Sequence, residues 1–210
     1  EDLKKPGIWE IFKDPEDPSK GRITSCISGW TCYTINQVKI FEYGLGDLYT
    51  NFDPGSGGAL DAAIAGAFAK GQPIVTYYWT PTSLMGKPEI DMVRLTEPAY
   101  DKACWDSMMV VVNKIKADGL DAYEPSCANE YKDMALTKLA TGKFADANPD
   151  IIAFADAYTI TTSVVNNMLA YYVDESGGDM EATAMHYLEN HSEWESWVPA
   201  DVAAKVKGTL

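Results

Sequence analysis

The sequence predicts an α/β protein, and two observations support this prediction. Residues 60–68 carry apolar side chains at helical spacing, and an apolar run at residues 73–79 follows them closely. A helix followed by a buried strand is typical of α/β architecture. The chain has 210 residues, of which 46% are hydrophobic, so it can bury a full core as one large domain or as two lobes.

The first 21 residues predict a polar lead-in with one short helix, because prolines and acidic residues punctuate them. Residues 14–21 lack the alternating oxygen ligands and the closing glutamate of a calcium loop, so a solvated turn is expected there. A short strand from Arg22 then enters a loop between two cysteines. Apolar residues recur at helical spacing at Ile35, Val38 and Phe41. A helix is therefore expected to begin near Thr31 or Cys32.

A glycine-rich segment at residues 53–58 precedes the second helix. It lacks the Lys-Ser/Thr pair and the glycine spacing of a phosphate-binding loop, so a turn with Ser56 as the helix cap is expected. Gly71 is a good stop signal for this helix. Beyond the strand at 73–79, the pattern suggests a strand at 92–95 and a helix at 105–115.

The second half of the chain predicts a connector at 119–133, a crossing strand at 134–139 and then helices. The helices from about residue 149 onward have no sheet of their own to cover. We therefore expect that part of a second lobe is absent from this sequence. The first lobe is expected to span residues 1–130, and residues 131–210 are expected to belong to the second.

The net charge of −14 argues against nucleic acid and anionic membranes as partners. No run approaches the roughly 18 to 20 apolar residues of a membrane span. The two histidines, His186 and His191, have poor spacing for a shared metal, and neither lies near a candidate nucleophile. The sequence thus predicts no metal, no cofactor and no catalytic site.

The four cysteines predict disulfide bonds and an oxidising compartment. The pairs Cys26–Cys32 and Cys104–Cys127 are favoured over the other two connectivities. Four buried free thiols are the alternative.

Two tryptophans, Trp30 and Trp79, stand where a core tryptophan is not expected. Open indole faces attract cations without N–H donors, such as quaternary ammonium groups. Trp30 directly precedes the predicted helix start, where the amides of Thr31 and Cys32 could bind an anion. The alternative is that Thr31 only caps the helix and Trp30 packs inward. By strand alternation, Tyr77 rather than Tyr78 is expected on the side of Trp79.

These residues resemble a known family. Three consecutive features are similar to the glycine betaine-binding proteins of ABC importers, of the ProX/OpuAC type. They are the segment from Cys26 through Gly29 and Trp30 to Cys32, the helix that follows it, and residues 70–81 with Trp79. The likeness extends to residues 144–149 and to the closing tryptophans Trp194 and Trp197, which are otherwise expected to pack.

The resemblance implies a type II periplasmic binding protein fold, with two lobes, a hinge and a ligand in the cleft. It also implies that family members carry an additional N-terminal segment, so a separate segment could complete the second lobe here. Trp30 and Trp79 match the family's aromatic cage, and Thr31 and Cys32 match its backbone donors.

The resemblance therefore implies an extracytoplasmic protein that delivers a quaternary ammonium osmolyte to the membrane subunits of an ABC importer. Glycine betaine, proline betaine, choline and a sulfonium analogue are the candidate ligands, and those with a carboxylate are favoured. The alternatives are an enzyme acting on methylated osmolytes and a non-binding structural or regulatory fragment.

Overall fold

The computed structural model describes all 210 residues, which form two compact units. The first unit contains residues 1–79 and 92–133, and the second contains residues 80–91 and 134–210. The sequence places residues 80–91 in the first lobe, whereas in the structure they belong to the second unit. The assignment of the two units to ligand-binding lobes stays a prediction.

A parallel three-stranded sheet forms the centre of the first unit. Its strands, β1 (Gly21–Thr24), β2 (Tyr49–Phe52) and β3 (Val75–Thr76), lie in the order β2-β1-β3. The helices of this unit are α1 (Ile8–Ile11), α2 (Thr31–Glu42), α3 (Gly57–Ala69) and α4 (Lys102–Asp118). Because α2 and α3 each connect two parallel strands, this unit has the predicted α/β architecture.

Local sequence signals explain where these helices begin and end. Helix α2 begins at Thr31, as predicted. Ser56 caps α3, as predicted, by accepting a hydrogen bond from the Ala59 amide at 3.1 Å. After α3, Gly71 adopts a φ of 61°, a conformation that few residues other than glycine tolerate. Asp101 caps α4 by accepting a hydrogen bond from the Cys104 amide at 2.8 Å.

The packing of α2 against α4 supplies the main apolar core of the first unit. Val38 on α2 and Met108 and Val112 on α4 have no exposed surface. Burying each such side chain stabilises the fold by about 1.5 to 3 kcal/mol. The weakly patterned segment at 105–115 is therefore part of a helix because one side of it packs on α2.

The second unit is helical. It contains α5 (Gly142–Ala147), α6 (Pro149–Ala157), α7 (Thr162–Asp174), α8 (Met180–Asn190) and α9 (Ala200–Lys207). Trp194 and Trp197 are buried in its core, as predicted. None of the helices in the chain has the length and apolar character needed to cross a membrane.

Residues 80–91 belong to this unit because they pack on α7. The Asn166 side-chain oxygen accepts hydrogen bonds from the Thr80 hydroxyl at 3.0 Å and the Thr82 amide at 2.8 Å. A Cβ atom on Gly86 would lie 2.1 Å from the Asn166 carbonyl oxygen, so only glycine fits at this approach. Lys87 also forms an ion pair with Asp174 at 2.6 Å.

Two predicted strands are wrong for this chain. Residues 92–95 and 134–139 form no strand in the structure. In the second segment Met134, Leu136 and Leu139 are 83%, 88% and 93% exposed. A strand needs a neighbouring strand for its backbone hydrogen bonds, and neither segment has one here. Strand β2, in contrast, is present in the structure but was not predicted from the sequence.

A buried carboxylate, Asp14, connects the lead-in to the sheet. It accepts hydrogen bonds from Arg22 at 2.5 Å, from the Glu16 amide at 2.9 Å and from the Thr50 hydroxyl. Burial by itself would raise the pKa of Asp14, but these hydrogen bonds and the Arg22 charge lower the pKa below its usual value. Asp14 thereby holds β1 and β2 to the preceding turn.

We predict that Asp14→Asn lowers the free energy of unfolding by about 2 to 4 kcal/mol at neutral pH, because Arg22 loses its buried partner. Urea denaturation measures this loss. Since the pKa is lower in the folded chain, the ionised carboxylate stabilises the fold above about pH 4. This stabilisation is lost as the pH falls through the folded-state pKa, so the difference from wild type should shrink there.

Glu16→Gln is the matched control, because Glu16 contacts the same Arg22 at 3.0 Å but is exposed. This change should cost less than about 1 kcal/mol. Equal losses for the two variants would contradict the role assigned to Asp14.

Candidate ligand-binding site

The candidate site lies at the carboxyl ends of the three parallel strands. The loop with Trp30 follows β1, Asp53 follows β2, and Trp79 follows β3. Ligands of open α/β sheets bind outside the carboxyl ends of the strands. The topology therefore brings these three segments together at the edge where a ligand is expected.

A disulfide bond closes the loop that carries Trp30. Cys26 is fully buried and is bonded to Cys32 in the first turn of α2, with 6.2 Å between the two Cα atoms. Cys104 and Cys127 form the second disulfide bond, so the connectivity is the one that the sequence favours. Trp30 is nevertheless 44% exposed. The loop is thus fixed at both ends while its indole faces solvent.

Asp53 attaches this loop to the end of β2. Its carboxylate accepts hydrogen bonds from the Ser28 amide at 3.1 Å and from the Gly55 amide at 2.7 Å. The hydrogen bonding to Ser28, followed by that to Gly55, lowers the pKa of Asp53. Asp53 is therefore an ionised structural residue whose two oxygens are already paired.

Trp30 and Trp79 form an aromatic corner, which we call the tryptophan corner. Their ring centroids are 5.7 Å apart, and their planes are inclined at 66°. Trp79 is 37% exposed, so both indoles leave surface open to solvent. A cation in such a corner can approach both rings within the roughly 6 Å over which the cation–π attraction acts.

Two tyrosines adjoin Trp79. The ring centroid of Tyr77 lies 6.2 Å from that of Trp79, and the centroid of Tyr78 lies 4.8 Å from it. The Tyr78 hydroxyl donates a hydrogen bond to Asp61 on α3 at 2.7 Å. Because β3 ends at Thr76, strand alternation does not separate the two tyrosines. A ligand contact by Tyr77 stays a prediction.

The first turn of α2 presents backbone donors beside the tryptophan corner. Trp30 is the N-cap residue and makes no side-chain capping bond. The Tyr33 amide donates to the Trp30 carbonyl at 3.1 Å, whereas the amides of Thr31 and Cys32 have no acceptor in the protein. Such amides carry the partial positive charge of the helix N-terminus. They can therefore bind the anionic end of a ligand.

Buried polar residues that were not predicted from the sequence support the tryptophan corner and the first turn of α2. The Tyr77 ring lies 5.6 Å from the Tyr131 ring. The Tyr131 hydroxyl donates to the Asn36 side-chain oxygen at 2.7 Å, and the Asn36 amide group donates to the Ser25 hydroxyl at 2.9 Å. Since Ser25 directly precedes Cys26, this chain of hydrogen bonds links α2, the Trp30 loop and the tyrosines behind Trp79.

Lys39 completes the support beneath Tyr131. Its ammonium group lies 4.1 Å from the Tyr131 ring centroid and forms an ion pair with Glu97 at 2.8 Å. Burial lowers the pKa of Lys39, and the contact with Glu97 opposes this effect. Burial and the hydrogen bond to Glu97 raise the pKa of Tyr43, which shares that carboxylate. This cation and its partner are thus already satisfied within the fold.

Trp105, His186 and His191 each contact side chains within their own unit. Trp105 packs against Tyr131, with 5.5 Å between centroids. His186 stacks on Tyr171 at 3.8 Å, and His191 lies 3.2 Å from Glu193, all within the second unit. Two concavities have volumes of about 380 and 430 Å³; the larger of these two is lined in part by Asp53, and neither includes Trp30 or Trp79.

The α/β fold with exposed aromatic faces at its strand ends defines a ligand-binding module. Residues 1–190 match the family described as the substrate binding domain of the ABC-type glycine betaine transport system. The chain belongs to this family, which has the periplasmic binding protein fold.

Two curated relatives agree with this assignment. The glycine betaine-binding periplasmic protein OusX of Dickeya dadantii (strain 3937) is 26% identical over 208 residues, covering 96% of this chain and 59% of OusX. The trimethylamine N-oxide-binding protein of Pelagibacter ubique (strain HTCC1062) is 29% identical over 195 residues, covering 91% of this chain and 55% of that protein. The chain therefore spans somewhat more than half the length of these relatives.

We predict that Tyr131→Phe lowers the free energy of unfolding by about 1 to 3 kcal/mol, because it leaves the Asn36 oxygen buried without a donor. Urea denaturation followed by circular dichroism measures this effect. Tyr100→Phe is the matched control, since its hydroxyl makes no hydrogen bond, and it should change stability by less than about 0.5 kcal/mol. Equal free energies of unfolding for the two variants would contradict the supporting role of this hydrogen-bond network.

Proposed function

We propose that the chain binds a small methylated ammonium osmolyte, of which glycine betaine is the best candidate. The observation that carries this proposal is the tryptophan corner beside two unbonded helix amides. A quaternary ammonium group has no N–H donors, so an aromatic face is the partner that stabilises it best. Family membership and the names of the two relatives support the same ligand class.

In this proposal the two ends of the ligand bind to different groups. The trimethylammonium end lies in the tryptophan corner, and the carboxylate accepts hydrogen bonds from the amides of Thr31 and Cys32. Tyr77 lines the site behind Trp79. Helix N-termini bind carboxylates through such amides together with the helix dipole. A short zwitterion matches this arrangement of opposite charges.

The other candidate ligands differ in how much of this arrangement they satisfy. Choline has the cation but leaves the amides without an anion, although its hydroxyl could accept from them. Proline betaine and sulfonium analogues keep both charges. One relative is named as a trimethylamine N-oxide-binding protein, and that compound would place an oxygen instead of a carboxylate at the amides. We therefore propose a preference for betaines over choline.

We further propose that the protein captures its ligand outside the cytoplasm and delivers it unchanged to the membrane subunits of an ABC importer. Two disulfide bonds and the family support an extracytoplasmic location, either periplasmic or on the outer surface of a cell membrane. Closure of two lobes around the ligand would create the form that the importer recognises.

The exposed segment at 134–139 supports a separate strand as a further partner. Met134 and Leu136 alternate along the chain, and these two side chains and that of Leu139 are almost fully exposed. We propose that a separate N-terminal segment completes the second lobe by pairing with residues 134–139, which form no strand without such a partner. Adding such a segment should protect the amides of residues 134–139 from hydrogen exchange, whereas unchanged exchange would contradict the pairing.

The binding proposal is tested by titrating tryptophan fluorescence with glycine betaine, proline betaine, choline and trimethylamine N-oxide. We expect a saturable change, with the lowest Kd for a betaine. The ligand tert-butylacetate is the matched control, because it keeps the size and carboxylate of glycine betaine but replaces the cationic nitrogen with carbon. Equal affinity for both would show that the site does not recognise the cation.

We predict that Trp79→Ala weakens glycine betaine binding about two- to thirtyfold, because one aromatic face contributes about 0.5 to 2 kcal/mol. Isothermal titration calorimetry measures the change. Ile11→Ala is the control variant, since Ile11 is 52% exposed beside the amino end of β1, away from the corner. An unchanged affinity in the folded Trp79 variant would defeat the tryptophan corner as the binding site.

A further inference from the structure

One lysine lies at the positively charged end of α2. The Lys116 ammonium on α4 donates a hydrogen bond to the Thr31 hydroxyl at 2.9 Å. The other two lysines near the ends of α4 contact carboxylates instead: Lys102 pairs with Asp106 and Lys114 with Glu124. Lys116 has no acidic partner, and its contact within the protein is this neutral hydroxyl.

Lys116 lies in the last turn of α4, where the helix dipole favours a cation, but its ammonium group also contacts the first turn of α2, where the dipole opposes one. A cation near a helix N-terminus is repelled by the partial positive charge of the unbonded amides. The hydroxyl that Lys116 contacts belongs to the same residue as one of those amides. Asp53, the carboxylate attached to the loop, is already paired with the amides of Ser28 and Gly55. The first turn of α2 therefore carries positive charge that the described acidic residues do not neutralise by contact.

We propose that Lys116 is a specificity-determining residue that favours ligands with an anionic end over ligands that are only cationic. The inference rests on the proposed function, because it places a ligand's carboxylate at the amides of Thr31 and Cys32. There the ammonium group, which is bonded to the hydroxyl of the same Thr31, adds its positive charge to that of the two amides. The same charge repels choline, which brings a second cation and no anion.

The test compares the Kd of glycine betaine with the Kd of choline for the full 210-residue chain. Lys116→Met keeps the length of the side chain but removes its charge. We expect glycine betaine to bind about two- to fivefold more weakly, as for the loss of an exposed charge pair. Choline should bind equally well or more tightly. Lys116→Arg should restore the wild-type ratio of the two Kd values.

Lys102→Met is the matched control. It makes the same change of net charge on the same helix, but about 21 Å farther along the axis at 1.5 Å per residue. This separation exceeds the Debye length of about 8 Å at physiological salt, so the ratio of Kd values should not change. The difference between the two variants should also decrease at about 1 M salt.

The outcomes separate the two proposals. If wild type binds glycine betaine and the Lys116→Met and Lys102→Met variants give the same ratio, the inference about Lys116 is overturned and the binding function stands. If Lys116→Met raises the Kd of both ligands by the same factor, the lysine acts on the fold and not on specificity, and the inference is overturned. If wild type binds neither ligand, the proposed function fails, and the assignment of Lys116 fails with it.

Discussion

The covalent bond between Cys26 and Cys32 is the constraint on which the candidate site depends. It joins the buried segment directly after β1 to the first turn of α2, so the five residues between the cysteines can adopt few conformations. A disulfide that closes so short a loop adds less stability than one that closes a long loop. Its main effect here is positional: Trp30 and the free amides of α2 keep a fixed relation to each other.

Buried polar groups extend this constraint into the core. Asn36 and Lys39 lie on the inner side of α2 and are almost fully buried, where a polar group without partners costs several kcal/mol. Both have partners, Tyr131 and Ser25 for Asn36 and Glu97 for Lys39. These bonds fix the position of α2 relative to Ser25, Glu97 and Tyr131.

Local signals made much of this arrangement predictable from the sequence. The start of α2, the Ser56 cap and the Cys26–Cys32 pair depend on residues close in sequence, and each was predicted; with that pair assigned, the even cysteine count left Cys104 to pair with Cys127. Most interactions between residues distant in sequence were not predicted. Asn36 and Lys39 stand between the apolar positions of α2, and their burial depends on Tyr131 and Glu97, which lie far along the chain. The strands at 92–95 and 134–139 failed for the same reason, since alternation describes a face but not a partner strand.

In the proposed binding mode, the energetics of the tryptophan corner are those of one wall of a larger site. Two aromatic faces contribute roughly 1 to 4 kcal/mol, and two charge-assisted hydrogen bonds add about 1.5 to 3 kcal/mol each. Association of a small ligand costs an estimated 4 kcal/mol or more in lost freedom of motion. The balance is a weak affinity, because the indoles remain open to water on their outer sides. Tight capture therefore requires a second wall that excludes water, which strengthens the electrostatic contacts already present at Trp30 and Trp79.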